Sequence, residues 1–179
     1  KQRIGVVFGG IDFYPLKKLS AITAVTRNFY TNWDQARYQK YIRHFALDES
    51  KKFKELSNGM KVKYLLALAL SHHAELLILD EPTSGLDPVS REELLHIFRQ
   101  TVKNEECSIL FSTHITSDLD RCTDDITYIQ NGRVLLSADK DTFLRSFAHL
   151  KTSDDTNPLT LEEIMLRTER SEWDDDFTV

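Results

Sequence analysis

The sequence predicts a globular α/β protein built on a parallel β-sheet, and three observations support a globular core, the absence of a membrane-spanning segment and this fold class. Short apolar segments of strand length, such as "LLILD" and "SILFS", alternate with longer segments in which apolar residues recur at helical spacing. Such alternation is typical of sheets whose strands run parallel. The 179 residues are 41% hydrophobic, which is enough for one core. The longest aliphatic run, Leu65 to Leu70, is far shorter than the roughly 18 residues of a membrane-spanning helix.

The N-terminal part of the chain predicts one strand followed by a helical region. Arg3 to Phe8 is rich in β-branched residues and closes with two glycines, which indicates a strand. From Leu19 to Ala46 the helical period dominates, and Asp34 is placed to cap the second helix of this region. Aromatic residues at helical spacing are core residues more often than platforms for stacked bases, so we expect these to pack inside: Phe29, Tyr30, Trp33, Tyr38, Tyr41 and Phe45.

The remaining chain alternates between strands and helices before it ends in helices. The dipeptide Asn131-Gly132 inside "ITYIQNGRVLLS" is a strong signal for a two-residue β-hairpin turn. Thr160 and Glu163 have the spacing of a capping box ahead of an apolar helix face. The predicted elements are a helix from Leu56 to His73, strand Glu75 to Asp80, helix Pro88 to Val102, strand Ser108 to Ser112, a short helix near Ser117 to Arg121, the hairpin, and helices near Lys140 to Leu150 and Leu161 to Thr168.

Two of the predicted strands end close to ionisable residues. Asp80 and Glu81 follow "LLIL", and His114 follows "SILFST". Open parallel sheets bind ligands outside the carboxyl ends of their strands. If the two strands are neighbours, we expect the two carboxylates and the imidazole to line one crevice.

These three side chains suit phosphoryl transfer. A carboxylate such as Asp80 can hold Mg²⁺ through water when phosphates fill the other coordination positions. The adjacent Glu81 points elsewhere on an alternating strand and is placed to polarise an attacking water. His114 can donate to a terminal phosphate. Positioning and charge neutralisation do most of the work in such reactions.

Each of these residues taken alone has a structural alternative. Asp87 followed by Pro88 is the pattern of an N-cap and a first helical turn. Ser57 in "LSNGM" can cap the helix that follows, with Gly59 easing its first turn. A single histidine at a strand end is usually a surface or hydrogen-bonded residue.

Taken in chain order, the motifs resemble the nucleotide-binding domain of ATP-binding cassette (ABC) proteins. The segment "LSNGM" resembles the LSGGQ signature of that family, "LLILDE" its Walker B strand, "SGLD" its D-loop and "STH" its switch-histidine loop. The four motifs lie between Leu56 and His114, and the resemblance extends less sharply from Ile4 to about Leu150. The stretches "ILDEPTSGLDPVSR" and "ILFSTHITSDL" are most similar to bacterial export-type or multidrug-type subunits.

The resemblance implies a role for each matching residue. Asp80 would be the Mg²⁺-associated carboxylate, Glu81 the catalytic base and His114 the sensor of the γ-phosphate. Asp87 would make a contact across a dimer interface. The signature residues would face ATP bound mainly to the partner subunit: Ser57, Asn58 and Gly59. A helix N-terminus binds anions through its free N–H groups, which supports this last assignment.

The resemblance also implies the architecture. We expect a P-loop NTPase-like (RecA-like) parallel sheet core with an α-helical signature subdomain, N-terminally incomplete. Its segments would be the Q-loop strand over residues 1–10, the helical subdomain over 11–73, the core over 74–150, and a C-terminal helix with an acidic tail over 151–179. No G-x-x-x-x-G-K-[ST] sequence occurs in the chain, and Gly9 stands where the Q-loop usually has glutamine. We therefore expect the Walker A portion to lie in a missing upstream segment.

The implied function is an ATP-binding and ATP-hydrolysing subunit of an ABC transporter. Its cofactors would be ATP and Mg²⁺, and its partners a second nucleotide-binding domain and a separate membrane permease. It would be cytoplasmic and peripheral on the inner face of the cell membrane. The chain alone, without Walker A, is expected to be inactive.

Two other functions remain open. The chain could be a degenerate regulatory or structural half that contributes only its "LSNGM" surface, although Glu81 and His114 argue against degeneration. It could also be a soluble ABC ATPase that acts on ribosomes or DNA. The charge pattern disfavours a general nucleic-acid surface, because the net charge is −5 and the acidic excess lies in residues 149–179. No nucleic-acid partner is expected.

Overall fold

The computed structural model describes residues 2–8, 14–105, 107–152, 155 and 157–176. The chain folds as two compact units, Lys1–His114 and Ile115–Val179. The boundary between the units, after His114, falls inside the third of the four segments that the sequence predicts. The division into four segments stays a prediction. Gly9, the residue at the expected Q-loop position, lies outside the described residues.

The first unit is built on three parallel strands, which confirms the predicted α/β class. They are β1 (Ile4–Phe8), β2 (Leu76–Asp80) and β3 (Ser108–Ser112), with β2 in the centre. Asp80 pairs with Phe8 on one side and with Ser112 on the other, so all three strands end at the same level. Parallel neighbours need long crossover connections, which here contain the helices.

In the described residues of this unit, four α-helices accompany the sheet. They are α1 (Leu19–Thr26), α2 (Gln35–His44), α3 (Asn58–Leu70) and α4 (Pro88–Glu105), and short 3₁₀ helices lie at Arg27–Phe29 and Phe53–Glu55. The predicted cap of α2 is confirmed, because the Asp34 side chain accepts a hydrogen bond from the Arg37 N–H. Helix α4 continues three residues past its predicted end at Val102, since no glycine or proline stops it there.

One face of the sheet packs against helices. Leu77 and Leu79 of β2 are fully buried on this face. Helix α3 approaches β1 so closely that a Cβ atom at Gly5 would lie 2.7 Å from both the Ala69 Cβ and a Leu77 methyl carbon. Only glycine allows this contact, because real Cβ atoms do not come so near their neighbours.

The opposite face of the sheet carries apolar side chains that are open to solvent. The exposed fraction is 38% for Ile4, 46% for Val6, 50% for Phe8 and 61% for Leu110. These residues alternate with the buried ones, as the two-residue period of a strand requires. Parallel sheets are usually covered on both faces. The sheet of this unit differs, because one of its faces is covered and the other is open.

The helical part of the first unit contains a buried polar network. The Thr23 hydroxyl lies 2.7 Å from the Tyr38 hydroxyl and 2.9 Å from that of Tyr64. Tyr38 donates to the Glu49 carboxylate, and burial is the main reason why the pKa of each tyrosine is raised. Both phenols therefore stay neutral. The prediction that the aromatic residues pack inside is right for Tyr38 and wrong for Phe29, whose ring is exposed.

The second unit is a β-hairpin packed with helices. Its elements are α5 (Thr116–Cys122), β4 (Asp125–Gln130), β5 (Arg133–Asp139), α6 (Lys140–Ser146), a 3₁₀ turn at Ala148–Leu150 and α7 (Leu161–Asp176). The strands pair antiparallel around Asn131 and Gly132, which both have positive φ, and the predicted hairpin is thus confirmed.

Helix α7 docks on the core of the second unit. The core residues are Ile126, Tyr128, Phe143, Leu159, Leu161 and Ile164. The predicted capping box is confirmed, because Thr160 N–H donates to the Glu163 carboxylate at 2.7 Å and Glu163 N–H donates to the Thr160 hydroxyl at 3.2 Å. Arg167 donates to both carboxylate oxygens of Asp155. In the described part of the chain, no helix combines the length and apolar character needed to cross a bilayer.

We predict that Leu77→Ala destabilises the protein by about 2–5 kcal/mol, because it leaves a cavity where α3 and the sheet are tightly packed. Leu110→Ala on the open face is the control and should cost less than about 0.5 kcal/mol. Urea unfolding of the two variants measures both values. Equal losses would mean that the face with Leu110 is covered in solution.

Candidate active site

The site begins where β2 and β3 end side by side. Asp80 is the last residue of β2, and the register places it opposite Ser112, the last residue of β3. The Ser112 Oγ donates to the Asp80 Oδ1 at 2.6 Å. A short hydrogen bond to a carboxylate is among the stronger kinds. One oxygen of Asp80 is therefore held by the neighbouring strand.

Glu81 leaves β2 in an unusual backbone conformation. Its φ is +45°, in the left-handed region that residues with a side chain rarely adopt. Its N–H donates to the Ser112 Oγ at 3.0 Å. Its carbonyl accepts from the Ser84 N–H at 3.2 Å, so a turn begins at once. The turn directs Glu81 away from the strand that Asp80 completes.

His114 contacts Glu81 directly. The His114 Nδ1 lies 2.9 Å from the Glu81 Oε1. The imidazole is well exposed at 69% of its side-chain surface, whereas the Glu81 side chain is 34% exposed. The second carboxylate oxygen, Oε2, is buried and has no hydrogen-bond partner in the described part of the protein. We call Asp80, Glu81, Ser112 and His114 the strand-end cluster.

The donor set of this cluster fits Mg²⁺ bound together with phosphates better than a metal held by protein alone. Among the described residues, no group of three or more His, Cys, Asp or Glu side chains is arranged to hold a metal ion. Mg²⁺ keeps several waters and needs only one or two carboxylates when phosphate oxygens supply the rest. Asp80 meets that requirement with the oxygen that Ser112 does not use. The unpartnered Glu81 Oε2 keeps its full capacity as a hydrogen-bond acceptor.

The predicted signature residues lie at the start of α3. The Ser57 Oγ accepts a hydrogen bond from the Met60 N–H at 3.3 Å, which confirms the cap. A Cβ at Gly59 would lie 3.6 Å from the Ser90 Cβ, an ordinary contact, so packing alone does not require glycine. Gly85 has φ +69°, and a Cβ there would lie 3.8 Å from the Asn58 side-chain nitrogen.

The predicted site residues therefore fall into two groups. Asp80, Glu81 and His114 lie together at the strand ends. Ser57, Asn58 and Gly59 lie beside the "SGLD" loop and the first turn of α4. Among the hydrogen bonds of the described residues, none joins them to the strand-end cluster. Whether the second group meets a nucleotide stays a prediction.

Asp87 caps α4. Its Oδ1 accepts hydrogen bonds from the Val89 and Ser90 N–H groups, both at 3.0 Å. The hydrogen bonds from Ser90, followed by the one from Val89, lower the pKa of Asp87 below its usual value. The capping role read from the sequence is thus confirmed. Its role at a dimer interface stays a prediction.

Ser112 is the member of the cluster that was not predicted from the sequence. The sequence feature that could have indicated it is the serine of "STH", a polar residue at the end of β3, the strand beside β2. The sequence does not show that one hydroxyl reaches both acids, because that contact depends on strand order and register.

Comparisons with known proteins identify the family. A family model described as "AAA domain, putative AbiEii toxin, Type IV TA system" matches residues 13–119. The chain is 26% identical to the ABC transporter ATP-binding protein YtrB of Bacillus subtilis over 145 residues, which cover 81% of this chain and 50% of YtrB. It is 28% identical to NatA of the same organism, also an ABC transporter ATP-binding protein, over 171 residues, 92% of this chain and 68% of NatA. The chain belongs to this AAA-domain family and is of the ABC type.

A solved structure of the ATP-binding subunit of an ABC transporter supports the ABC type. It superposes with a TM-score of 0.77 at 25% identity and covers 94% of this chain and 69% of that subunit. The resemblance read from the four motifs is confirmed by these matches, and so is the P-loop NTPase-like fold. The ABC-type chain spans about half the length of YtrB.

We predict that the thermal stability of this chain falls at low pH, partly because Asp87 becomes protonated. Because its folded pKa is depressed, Asp87 contributes its full stabilisation above the unfolded pKa of about 3.9 and loses it as the pH falls further toward the folded pKa. Asp87→Asn keeps a capping oxygen without the charge. The wild type should melt at a higher temperature than Asp87→Asn at pH 7, and the difference should shrink as the pH falls below about 4.

Melting curves between pH 7 and pH 3 provide the measurement, with Asp141→Asn as an exposed control. A constant difference between wild type and Asp87→Asn at every pH would contradict the role of the charge.

Proposed function

We propose that this chain is the ATP-hydrolysing part of the ATP-binding subunit of an ABC transporter. The observation that supports this best is the Glu81 carboxylate, which has one oxygen beside His114 and the other buried without a partner, next to Asp80. A carboxylate arranged in this way is suited to orient a water and accept its proton. The relatives share ATP binding by name.

Asp80 is proposed to hold Mg²⁺ and Glu81 to act as the general base. The metal ion would neutralise charge on the β- and γ-phosphates. Ser112 keeps the Oδ1 of Asp80 engaged and leaves the other oxygen for the water shell of the ion. His114 is exposed and contacts Glu81, and it would bind the terminal phosphate.

The α3 start is proposed to serve ATP held by a second nucleotide-binding domain. Helix α3 has 13 residues, and the N-terminal end of a helix dipole favours an anion. Ser57, Asn58 and Gly59 would contact that anion. Asp87 would lie at the interface between the two domains, where it also keeps α4 in place.

The partner that uses this ATP hydrolysis is proposed to be a membrane permease. The relatives are named as ATP-binding proteins of transporters, which are subunits rather than whole transporters. The proposed location is cytoplasmic, at the inner face of the cell membrane. Because the 179 residues hold no phosphate-binding G-x-x-x-x-G-K-[ST] sequence, this chain by itself is proposed to be inactive.

We predict that Glu81→Gln lowers the ATPase kcat of the complete gene product at least about 100-fold, because amide nitrogen and oxygen cannot accept the proton from water. ATP binding should be retained. The control is Glu75→Gln, which changes an exposed acid just before the opposite end of β2. A phosphate-release assay and nucleotide titration measure the two quantities.

Equal kcat values for wild type and Glu81→Gln would remove Glu81 from the chemistry. Absence of nucleotide binding by the complete gene product would instead favour a structural half. ATP hydrolysis by residues 1–179 alone would contradict the proposed inactivity of this chain.

A further inference from the structure

One hydroxyl group connects the two acids of the strand-end cluster. The Ser112 Oγ donates its hydrogen to the Asp80 Oδ1 at 2.6 Å and accepts the Glu81 N–H at 3.0 Å. A hydroxyl has one hydrogen and two lone pairs, so both bonds can form at once with no conflict of roles. Asp80 is held through its side chain and Glu81 through its backbone.

The bond to the backbone bears on the conformation of Glu81. A φ of +45° is unfavourable for a residue with a Cβ and persists where the surroundings over-determine it. The Ser112 hydroxyl supplies such a restraint on the N–H side, and the Ser84 N–H supplies another on the carbonyl side. This conformation sends the Glu81 carboxylate to His114.

We propose that Ser112 is a positioning residue that sets the relative placement of Asp80 and Glu81. It fixes the metal-side acid by donating to it and the water-side acid by accepting from its backbone. The importance of this arrangement for catalysis rests on the proposed function. The arrangement itself concerns this chain alone and can be tested without any activity.

A purely structural role for Ser112 is separable from the proposed one. Ser112 is exposed at the end of β3, and the fully buried residues of the sheet lie earlier in the strands. Loss of its hydroxyl therefore leaves the core intact. Threonine and valine have nearly the same size and both suit a strand, but only threonine has the hydroxyl.

Amide hydrogen exchange measured by NMR on residues 1–179 provides the first test. Ser112→Ala and Ser112→Val should raise the exchange rate of the Glu81 amide by about tenfold, since one hydrogen bond of ordinary strength is lost. Ser112→Thr should restore slow exchange. Ser108→Ala, at the opposite end of β3 on the same face, is the control and should change nothing at Glu81.

The signals of the His114 imidazole provide the second readout of the same samples. They should move in Ser112→Ala and Ser112→Val, because Glu81 no longer presents its carboxylate, and should return in Ser112→Thr. Unchanged Glu81 exchange and unchanged His114 signals in the valine variant would overturn the proposal. If the alanine variant fails to fold, the comparison of threonine with valine gives the answer.

The catalytic consequence is tested in the complete gene product. Ser112→Val should lower kcat at least about tenfold and raise the Mg²⁺ concentration needed for half-maximal rate, while Ser112→Thr keeps both near the wild-type values. Equal kinetics of the valine and threonine variants would overturn the catalytic part of the proposal. A wild type without ATPase activity would contradict the proposed function, and the exchange experiment would still decide the positioning role.

Discussion

The parallel register between β2 and β3 places Asp80 opposite Ser112, and the contacts of the candidate site follow from that pairing. Because of this register, the N–H of Glu81, the residue after Asp80, also reaches the Ser112 hydroxyl. His114 lies two residues after Ser112 and contacts the Glu81 carboxylate. A slip of one residue would turn every side chain of β2 to the other face. The burial of Leu77 holds the register against such a slip.

The site combines a tightly packed strand, β2, with a turn at Glu81 that has an unfavourable backbone conformation. Gly5 lets α3 come against β1, so the central strand is supported by tight packing on one side. The acids sit just where that support ends, and Glu81 takes a left-handed conformation that local hydrogen bonds must maintain. Strain of this kind is found at functional sites, where it presents a group in a position that a relaxed chain would not. Asp80 is thus fixed by the sheet, whereas Glu81 lies in the turn just after it and depends on local hydrogen bonds.

Most of the correct predictions concern contacts between residues that are close in the sequence. The caps at Asp34, Asp87 and Thr160 are contacts within three residues, so their sequence patterns contain nearly all of their physics. Strand ends could be placed for the same reason. The sequence could not show the positive φ of Glu81 or the double contact of Ser112, because both depend on which strand lies beside β2. The exposure of aromatic side chains also depends on tertiary packing, which is why the prediction for Phe29 was wrong.

A double-mutant cycle on Glu81 and His114 tests most directly whether these residues act as one site. The measured quantity is the ATPase kcat of the complete gene product with Glu81→Gln, with His114→Ala and with both changes. Residues that act as a unit have strongly non-additive effects. If the two residues act together, the double variant hydrolyses ATP at about the rate of Glu81→Gln alone. If the two losses multiply, the residues work independently and the shared site is contradicted.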